Sequence, residues 1–404
     1  MRSRGVCVLG FSLSFFSSIG SGYSELHAIM ASKVDPIAKN DNHKRNIDML
    51  RFFHSTWKRQ AMVCLIAQSF FLFSFGEGKS SAQNRLFLEK ENLSEQGAST
   101  VVYRLAGVNL KDACTQSIAR AVEKIEKKQG WKLYPSEIKK VAIVLDISSA
   151  PGIKVRPVVL ESLIKFLKFR FYTNKDIQIV TTQSSPFMLS NQFGYPRLSG
   201  FEILHPDISG YYNQSWFYES SMPASKIDRA KLFNQYPSNP DQRLVEERKS
   251  FLPSCLFDEN VFWINLAVAR DHQFLGIDGV VSNLTLKACS NTERFERDGT
   301  IGSATAVEIL SIPEYWEKRL FSILDLASFQ VAGGPGFDAE FIFGEDVLLI
   351  GENPFAIDYF GIDYLTNKRK SLGLLDRCKN EPLIFKFAQE VGVMNTRDIV
   401  LRDI

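Results

Sequence analysis

Hydrophobic and polar positions in residues 105–182 follow the periods of alternating helices and strands. Apolar residues recur at helical spacing in 112–129, and VAIVLDI (141–147) is a continuous apolar run rich in β-branched residues. A second helical stripe starts at Pro157, and IQIVTT (177–182) reads as another strand. Strands buried on both faces have such continuous runs. The order strand–helix–strand therefore predicts a right-handed crossover in a parallel sheet.

The rest of the chain continues this pattern after one interruption. Residues 183–258 are rich in Ser, Pro, Asn, Gln and Tyr without strong periodicity, which predicts an irregular insertion or small lobe. Beyond it we predict a strand at 261–268, a helix near 313–328, a strand at 346–351, and a helix from 354 to about 370. The predicted fold class is α/β, with a mostly parallel sheet flanked by helices.

The first 82 residues carry a secretion pattern. Three basic residues precede an apolar run of 15 residues at 61–75: Arg51, Lys58 and Arg59. Ser80 and Ala82 occupy the small-residue positions of a cleavage site. Because the run is shorter than the roughly 20 residues of a spanning helix, residues 49–82 are interpreted as a signal peptide of a periplasmic or extracellular protein. The alternative is that 61–75 remains as a membrane anchor.

A second signal-like segment, MRSRGVCVLGFSLSFFSSIG (1–20), lies upstream. We interpret Met49 as the true start and residues 1–48 as a mis-called extension. The alternative is that the first segment targets the protein and the second anchors it. The other predicted boundaries are a linker at 83–104, an α/β domain at 105–380 and a C-terminal tail at 381–404.

Charge gives no reason to expect nucleic-acid binding. Residues 1–82 hold 10 of the 48 basic residues and 5 of the 45 acidic ones, so the remainder is slightly negative. A nucleic-acid partner requires a positive surface instead. No stable membrane span is expected once the signal peptide is removed.

Cysteine and histidine spacing predicts neither a metal site nor a cofactor. After residue 82 the only histidines are His205 and His272, and none of the cysteines forms a CxxC or CxxH pair. Export would permit disulfides, while isolated thiols are an equal alternative. The four cysteines of this region are Cys114, Cys255, Cys289 and Cys378.

Two segments resemble the prokaryotic family known as domain of unknown function 362 (DUF362). INLAVARDHQFLGIDGVVSNL (264–284) is similar to the family's Lys-Asp-His turn and the Gly-rich segment that ends in Lys-Asn-Leu. ILDLASFQVAGGPG (323–336) with LLIGENPFAIDYFG (348–361) is similar to its buried Asp, its GGPG turn and its Asp-Pro helix start. The resemblance covers roughly residues 105–375. The matched residues include Asp271, His272, Asn283, Asp325, Gly334, Gly336 and Asp358.

Several ionisable positions of the family are replaced in this chain. The Lys of Lys-Asp-His is Arg270, and the Lys before Asn-Leu is Ser282. NTERF (291–295) is similar to the family's Asn-Thr-x-Arg-Phe/Tyr segment, and the His that often follows that segment is replaced by Glu296. The family's first-strand Lys is replaced by Val144 beside Asp146. The resemblance thus implies a retained scaffold whose chemistry is lost or changed.

His272 is the leading candidate for chemistry. In the loop after a parallel strand, an imidazole oriented by Asp271 would serve as a general base or ligand. The alternative is a loop histidine that hydrogen-bonds the backbone. Lys154 and Arg156, in the loop opening a helix, could hold an anion, and the 333–336 turn, with Gly334 and Gly336, could bring backbone N–H groups to it.

Two further carboxylates, Asp325 and Asp358, lie in apolar settings. A buried carboxylate must be paired, hydrogen-bonded or protonated. We expect a structural role for both, with Asp358 pairing with Arg270 or capping a neighbouring element.

The resulting functional hypothesis is a site for a small anionic molecule where the loops after Ile147, Val268 and Val331 converge. His272 would exchange protons there, Asn283 would make a polar contact, and a set of basic residues would supply positive charge: Arg270, Lys154 and Arg156. The competing hypothesis is a non-catalytic binding or interaction protein on a degenerate enzyme scaffold. Both alternatives stay open at this stage, so whether the protein is an enzyme is undecided.

Overall fold

The computed structural model describes residues 100–183, 195, 198, 200–220, 222–296, 298–375 and 381–404. The predictions for residues 1–48, 49–82 and 61–75, and most of the 83–104 linker, lie outside these residues, as does Cys378. A compact unit spans Gln96–Ile404. Within the described residues, no helix combines the length and apolar character needed to cross a bilayer.

The unit is built on a large mixed sheet. Its strands within the described residues are β1 (Thr100–Ala106), β2 (Lys140–Leu145), β3 (Ile177–Thr181), β4 (Glu202–Leu204), β7 (Val261–His272), β8 (Gly276–Asp278), β9 (Arg319–Gln330), β10 (Ile342–Phe343), β11 (Val347–Gly351) and β12 (Ile399–Asp403). They pair in the order β12-β1-β11-β9-β7-β2-β3-β4, with β10 on β9 and β8 on β7. A separate two-stranded sheet joins β5 (Tyr212–Glu219) and β6 (Lys249–Pro253).

Helices cover both faces of the large sheet. The α-helices of the described residues are α1 (Lys111–Gln129), α2 (Pro157–Phe169), α3 (Lys226–Gln235), α4 (Pro240–Glu247), α5 (Val280–Leu284), α6 (Gly299–Leu310), α7 (Pro313–Trp316), α8 (Pro354–Ser371) and α9 (Leu383–Val391). One core lies under α1 and α2, and the other lies under α6, α8 and α9. Alternate residues of β7 enter the two cores, Ile264 the first and Trp263 the second. Burial on both faces explains the continuous apolar strands and confirms the predicted α/β class.

Parallel pairing brings several strand ends to one edge of the sheet. β3, β2, β7 and β9 are mutually parallel neighbours. Their carboxyl ends therefore share an edge, where open α/β sheets bind ligands. The loops after β2, β7 and β9 emerge there.

The predicted helix near 313–328 is wrong beyond its first turn. Only Pro313–Trp316 is helical, and Arg319–Gln330 is a strand of 12 residues, most of them buried. An apolar run has the same periodicity in a buried helix and in a strand buried on both faces. The helix Gly299–Leu310, which was not predicted, is rich in Gly, Ser, Thr and Ala and mostly buried, so it lacks an amphipathic stripe.

Three predicted boundaries also need correction. The 183–258 insertion contains β4, β5, β6, α3 and α4, so its described part is largely regular. Residues 381–404 are not a tail, because α9 packs on α6 and β12 pairs with β1 in parallel. The predicted linker at 83–104 extends too far, because Thr100–Ala106 is β1, which lies in the sheet between β12 and β11. Such pairings depend on partners distant in the chain.

Candidate functional site

A cleft of about 630 Å³ opens at the carboxyl edge of the sheet. Ser148 and Ser149 border it from the loop after β2, Arg270 and Asp278 from β7 and β8, and 335–337 from the loop after β9. The three loops expected to converge thus border one cleft. Further bordering residues are Thr182, Gln183, Lys287, Cys289, Ser290 and Glu296.

A buried network of ions forms one wall of this cleft. The Arg270 guanidinium donates to the hydroxyls of Ser148 (2.5 Å) and Ser149 and to the Asp278 carboxylate. Lys287 Nζ lies 2.7 Å from Asp278 Oδ1 and 2.9 Å from Asp146 Oδ2. The Ser148 hydroxyl donates to Asp146 Oδ1 at 2.6 Å, which closes the network.

Charges in the network are balanced. Burial alone would raise the pKa of Asp146, but Lys287 and Arg270 hold that pKa well below its usual range. Burial is likewise outweighed at Asp278, whose pKa is lowered by Arg270 and Lys287. Two cations therefore face two carboxylates that stay ionised, and no positive charge is left over.

The pKa of Glu296 is shifted in the opposite direction, upwards. Burial raises the pKa of Glu296, and the neighbouring Asp278 and Glu293 raise it further, while Lys287 and Arg270 only partly offset them. A carboxyl with a raised pKa beside a cleft is a candidate proton donor.

His272 does not have the position that its proposed role requires. It is buried and does not border the cleft. Its Nδ1 accepts the backbone N–H groups of Phe274 (3.2 Å) and Leu275 (3.1 Å). Burial lowers the pKa of His272, which keeps the imidazole neutral and able to accept. The geometry matches the alternative, a loop histidine bonded to the backbone.

Asp271 joins three parts of the fold. Its Oδ1 lies 2.7 Å from Arg369 NH2, and its Oδ2 accepts the backbone N–H of Gly334 at 3.1 Å. Backbone amides, and not Asp271, hold Nδ1 of His272. The carboxylate thus fixes α8 and the turn after β9 to the end of β7.

The two glycines of that turn have different surroundings. A Cβ on Gly334 would lie 1.7 Å from the Asp271 carbonyl oxygen, so close backbone packing requires glycine there. Gly336 borders the cleft, and its carbonyl accepts from Gln330 Nε2 at 2.7 Å.

The serines and the cations of the loop after β2 lie in different places. Its serines border the cleft, but Lys154 and Arg156 do not. Lys154 Nζ lies 5.9 Å from the ring centroid of Tyr195. Arg156 binds Asp325 (Nε–Oδ1 3.0 Å) and Asp346 (NH1–Oδ1 2.7 Å). The prediction that Lys154 and Arg156 supply positive charge in the cleft is therefore wrong.

Asn283 and Asp358 are interior residues. Asn283 donates to Asn265 Oδ1 at 2.7 Å and is fully buried, so it makes no contact in the cleft. Asp358 accepts the backbone N–H groups of Val280 and Val281, each at 2.9 Å, and thereby caps α5 rather than pairing with Arg270. Burial raises the pKa of Asp358 to about 7. Asp325 and Asp358 both have the hydrogen bonds that buried carboxylates need.

Lys287, Asp278 and Glu296 were not among the predicted site residues. Lys287 and Asp278 stand in otherwise apolar stretches, LTLKAC and LGIDGV. A charged residue in such a setting needs a buried partner. A charged residue in an apolar stretch could therefore have indicated that Lys287 and Asp278 form an ion pair. It does not predict where in the fold the two residues lie.

The described residues contain no group of three His, Cys, Asp or Glu side chains placed to hold a metal ion. Cys114, Cys255 and Cys289 are free thiols. Burial raises the pKa of Cys289 to about 12, so this thiol beside the cleft is protonated at neutral pH.

The fold and cleft define a class: an α/β protein with a polar cavity at the carboxyl ends of parallel strands. No family model matches the chain. A search of curated proteins also finds no match. A crystal structure of a Thermotoga maritima protein aligns with a TM-score of 0.37 and 12% identity over 64% of this chain. The alignment spans 59% of that protein.

Proposed function

We propose that this chain binds a small polar molecule in the cleft and exchanges a proton with it through Glu296. One observation carries the binding proposal. Two buried polar atoms of bordering residues, Arg270 Nε and Thr182 Oγ1, have no hydrogen-bond partner within the described part of the chain. Leaving such a group unpaired costs about 1–3 kcal/mol. A ligand that reaches either atom from the cleft would supply the missing bond and recover this free energy.

Charge balance supports an uncharged ligand over an anionic one. Arg270 and Lys287 are already paired with Asp146 and Asp278. An anion would have to compete with two ionised carboxylates for both cations. We therefore propose a neutral polar ligand in place of the small anion expected from the basic residues.

The raised pKa of Glu296 supports acid–base chemistry. The second candidate is a non-catalytic binding protein on a degenerate enzyme scaffold. It is favoured by the position of His272, whose Nδ1 accepts from the backbone. The two candidates share the ligand site and differ in whether Glu296 is needed.

We propose export as well, through a signal peptide at 49–82, and membership of a DUF362-like group. N-terminal sequencing of the native protein tests the export proposal. A mature chain starting near Gln83 supports it, whereas a start near Tyr23 supports the anchored alternative.

The ligand proposal is tested by native mass spectrometry of the purified full chain. The wild type should carry a small molecule that is lost on denaturation. Ser149→Trp, which fills the cleft, should lose it. Ser215→Trp, at an exposed position of β5, should keep it. Equal retention by both variants, or no bound molecule in the wild type, contradicts the proposal.

Glu296→Gln separates the two candidates. If Glu296 exchanges the proton, ligand retention should depend on pH in the wild type and become flat in Glu296→Gln. The exposed Glu314 on α7, which does not border the cleft, provides the matched control, since Glu314→Gln should behave like wild type. An unchanged pH profile in Glu296→Gln favours the non-catalytic candidate.

A further inference from the structure

Phe337 is a half-exposed aromatic side chain at the cleft. It leaves 51% of its surface to solvent and belongs to the turn after β9 that borders the cavity. Gly152 packs directly against its ring: a Cβ on Gly152 would lie 2.1 Å from Phe337 Cε2. The ring is therefore seated on a residue without a side chain and remains half open. Such an arrangement holds an aromatic surface in a fixed place.

Serine and threonine hydroxyls border the same cleft as this ring. Ser290 Oγ accepts the backbone N–H of Phe251 at 3.0 Å, and Ser149 Oγ accepts from Arg270, so each hydroxyl hydrogen can be donated to a ligand. Thr182 Oγ1 has no partner within the described residues. The cleft thus offers neutral groups that donate and accept, beside an ion network without excess charge.

We propose that the ligand is a carbohydrate whose ring stacks on Phe337 while its hydroxyls bond Ser149, Thr182 and Ser290. A sugar has an apolar face of C–H groups that packs on an aromatic ring, and an edge of hydroxyls that both donate and accept. It also carries no net charge, as the balanced network requires. This inference rests on the proposed function, because it assumes that the cleft is the ligand site.

Cavity size is consistent with this class. The cleft of about 630 Å³ lies within the range of roughly 300–1,000 Å³ that is usual for small-molecule sites. A phosphorylated molecule fits less well, since Asp146 and Asp278 already occupy the two cations. A nucleoside could stack on Phe337 too, and it is one outcome of the test.

The test is saturation-transfer NMR and calorimetry on the full chain with glucose, galactose, mannose, N-acetylglucosamine, maltose and cellobiose as probes. At least one should bind at millimolar concentration or better. Phe337→Ala should weaken binding about tenfold, in line with the loss of one aromatic contact, and Phe337→Trp should preserve it. Phe233, an exposed aromatic on α3 outside the cleft, provides the control: Phe233→Ala should bind like wild type.

Gly152→Ala gives a second, independent variant, since its Cβ would displace the Phe337 ring and should weaken sugar binding without removing any ligand contact. If Phe337→Ala binds sugar like wild type, the stacking surface is wrong. If no sugar binds while adenosine or uridine does, or while native mass spectrometry still finds a bound molecule, the carbohydrate class is overturned and the ligand site stands. If no probe binds and no molecule co-purifies, the proposed function fails as well.

Discussion

Two arginine–aspartate pairs start at consecutive residues of β7. The cleft pair is Arg270 with Asp278, whose side chains are 4% and 3% exposed. The core pair is Asp271 with Arg369, at 1% and 3% exposed. The two pairs are thus equally buried and use the same chemistry. They differ in their surroundings: Arg270 and Asp278 border the cleft, and Asp271 and Arg369 do not border it.

This comparison shows that a buried ion pair does not by itself mark a functional site. Burying both charges is costly in either place, and good geometry only offsets that cost. In the core pair, Arg369 also donates to the Val331 carbonyl, so the pair ties α8 to the sheet. In the cleft pair, Arg270 Nε has no partner within the described residues. Unused hydrogen-bonding capacity beside a cavity is what distinguishes the two.

Breaking either pair should have the largest effect. We expect Asp271→Ala and Asp278→Ala each to lower the free energy of unfolding by about 3–5 kcal/mol, because each leaves a buried guanidinium uncompensated. Urea unfolding followed by tryptophan fluorescence measures this loss. Only Asp278→Ala should also lose the co-purifying ligand; loss of ligand in Asp271→Ala, with its fold intact, would remove the distinction between the pairs.

His272→Ala tests whether the residue next to Asp271 of the core pair also belongs to the fold and not to the ligand site. Removing the imidazole leaves the buried N–H of Leu275 and the partly buried N–H of Phe274 without their acceptor, so the free energy of unfolding should fall by about 1–3 kcal/mol. Ligand retention should stay at the wild-type level. A stable His272→Ala protein that no longer binds would restore the histidine to the site.

Asp358 is a buried carboxylate that, within the described residues, accepts two backbone N–H groups and forms no salt bridge. Its folded-state pKa of about 7 lies above the value near 4 of an unfolded chain. The folded state then binds the extra proton between these values, so the contribution of Asp358 to stability is present at low pH and is lost as pH rises from about 4 to 7. The difference in unfolding free energy between wild type and Asp358→Asn should decline over that interval.

The control for this experiment is Asp403→Asn, which exchanges an exposed carboxylate for an amide and against which the slope for Asp358→Asn is compared. A flat difference across pH 4–7 would contradict the raised pKa.

An exposed pair should show the smallest effect. Arg104 and Asp403 join β1 to β12 at 2.6 Å, with side chains 42% and 71% exposed. Water and salt screen this attraction, so Asp403→Asn should change the free energy of unfolding by only about 0–1 kcal/mol. Urea unfolding at low and high salt measures it. A loss as large as that of Asp278→Ala would mean that burial is not what separates these pairs.

Local sequence predicted the elements whose neighbours follow directly in the chain. The stripe in 112–129 and the run beginning at Val141 correspond to α1 and β2, and Pro157 begins α2. Prediction failed at 319–330, where burial on both faces removes the period, and at 399–403, whose partner β1 lies almost three hundred residues earlier. Of the candidate residues, Arg270 and Gly336 border the cleft, and His272, Lys154 and Arg156 do not.

What the chain determined by itself is the α/β class and the placement of polar loops after its buried strands, because helical and strand periods are local properties of neighbouring residues. Only the tertiary structure decided which loop charges meet. Asp146 precedes Lys287 by 141 residues, yet Lys287 contacts both Asp146 and Asp278. Charge balance at a site depends on distances between side chains, and those distances exist only once the strands have paired.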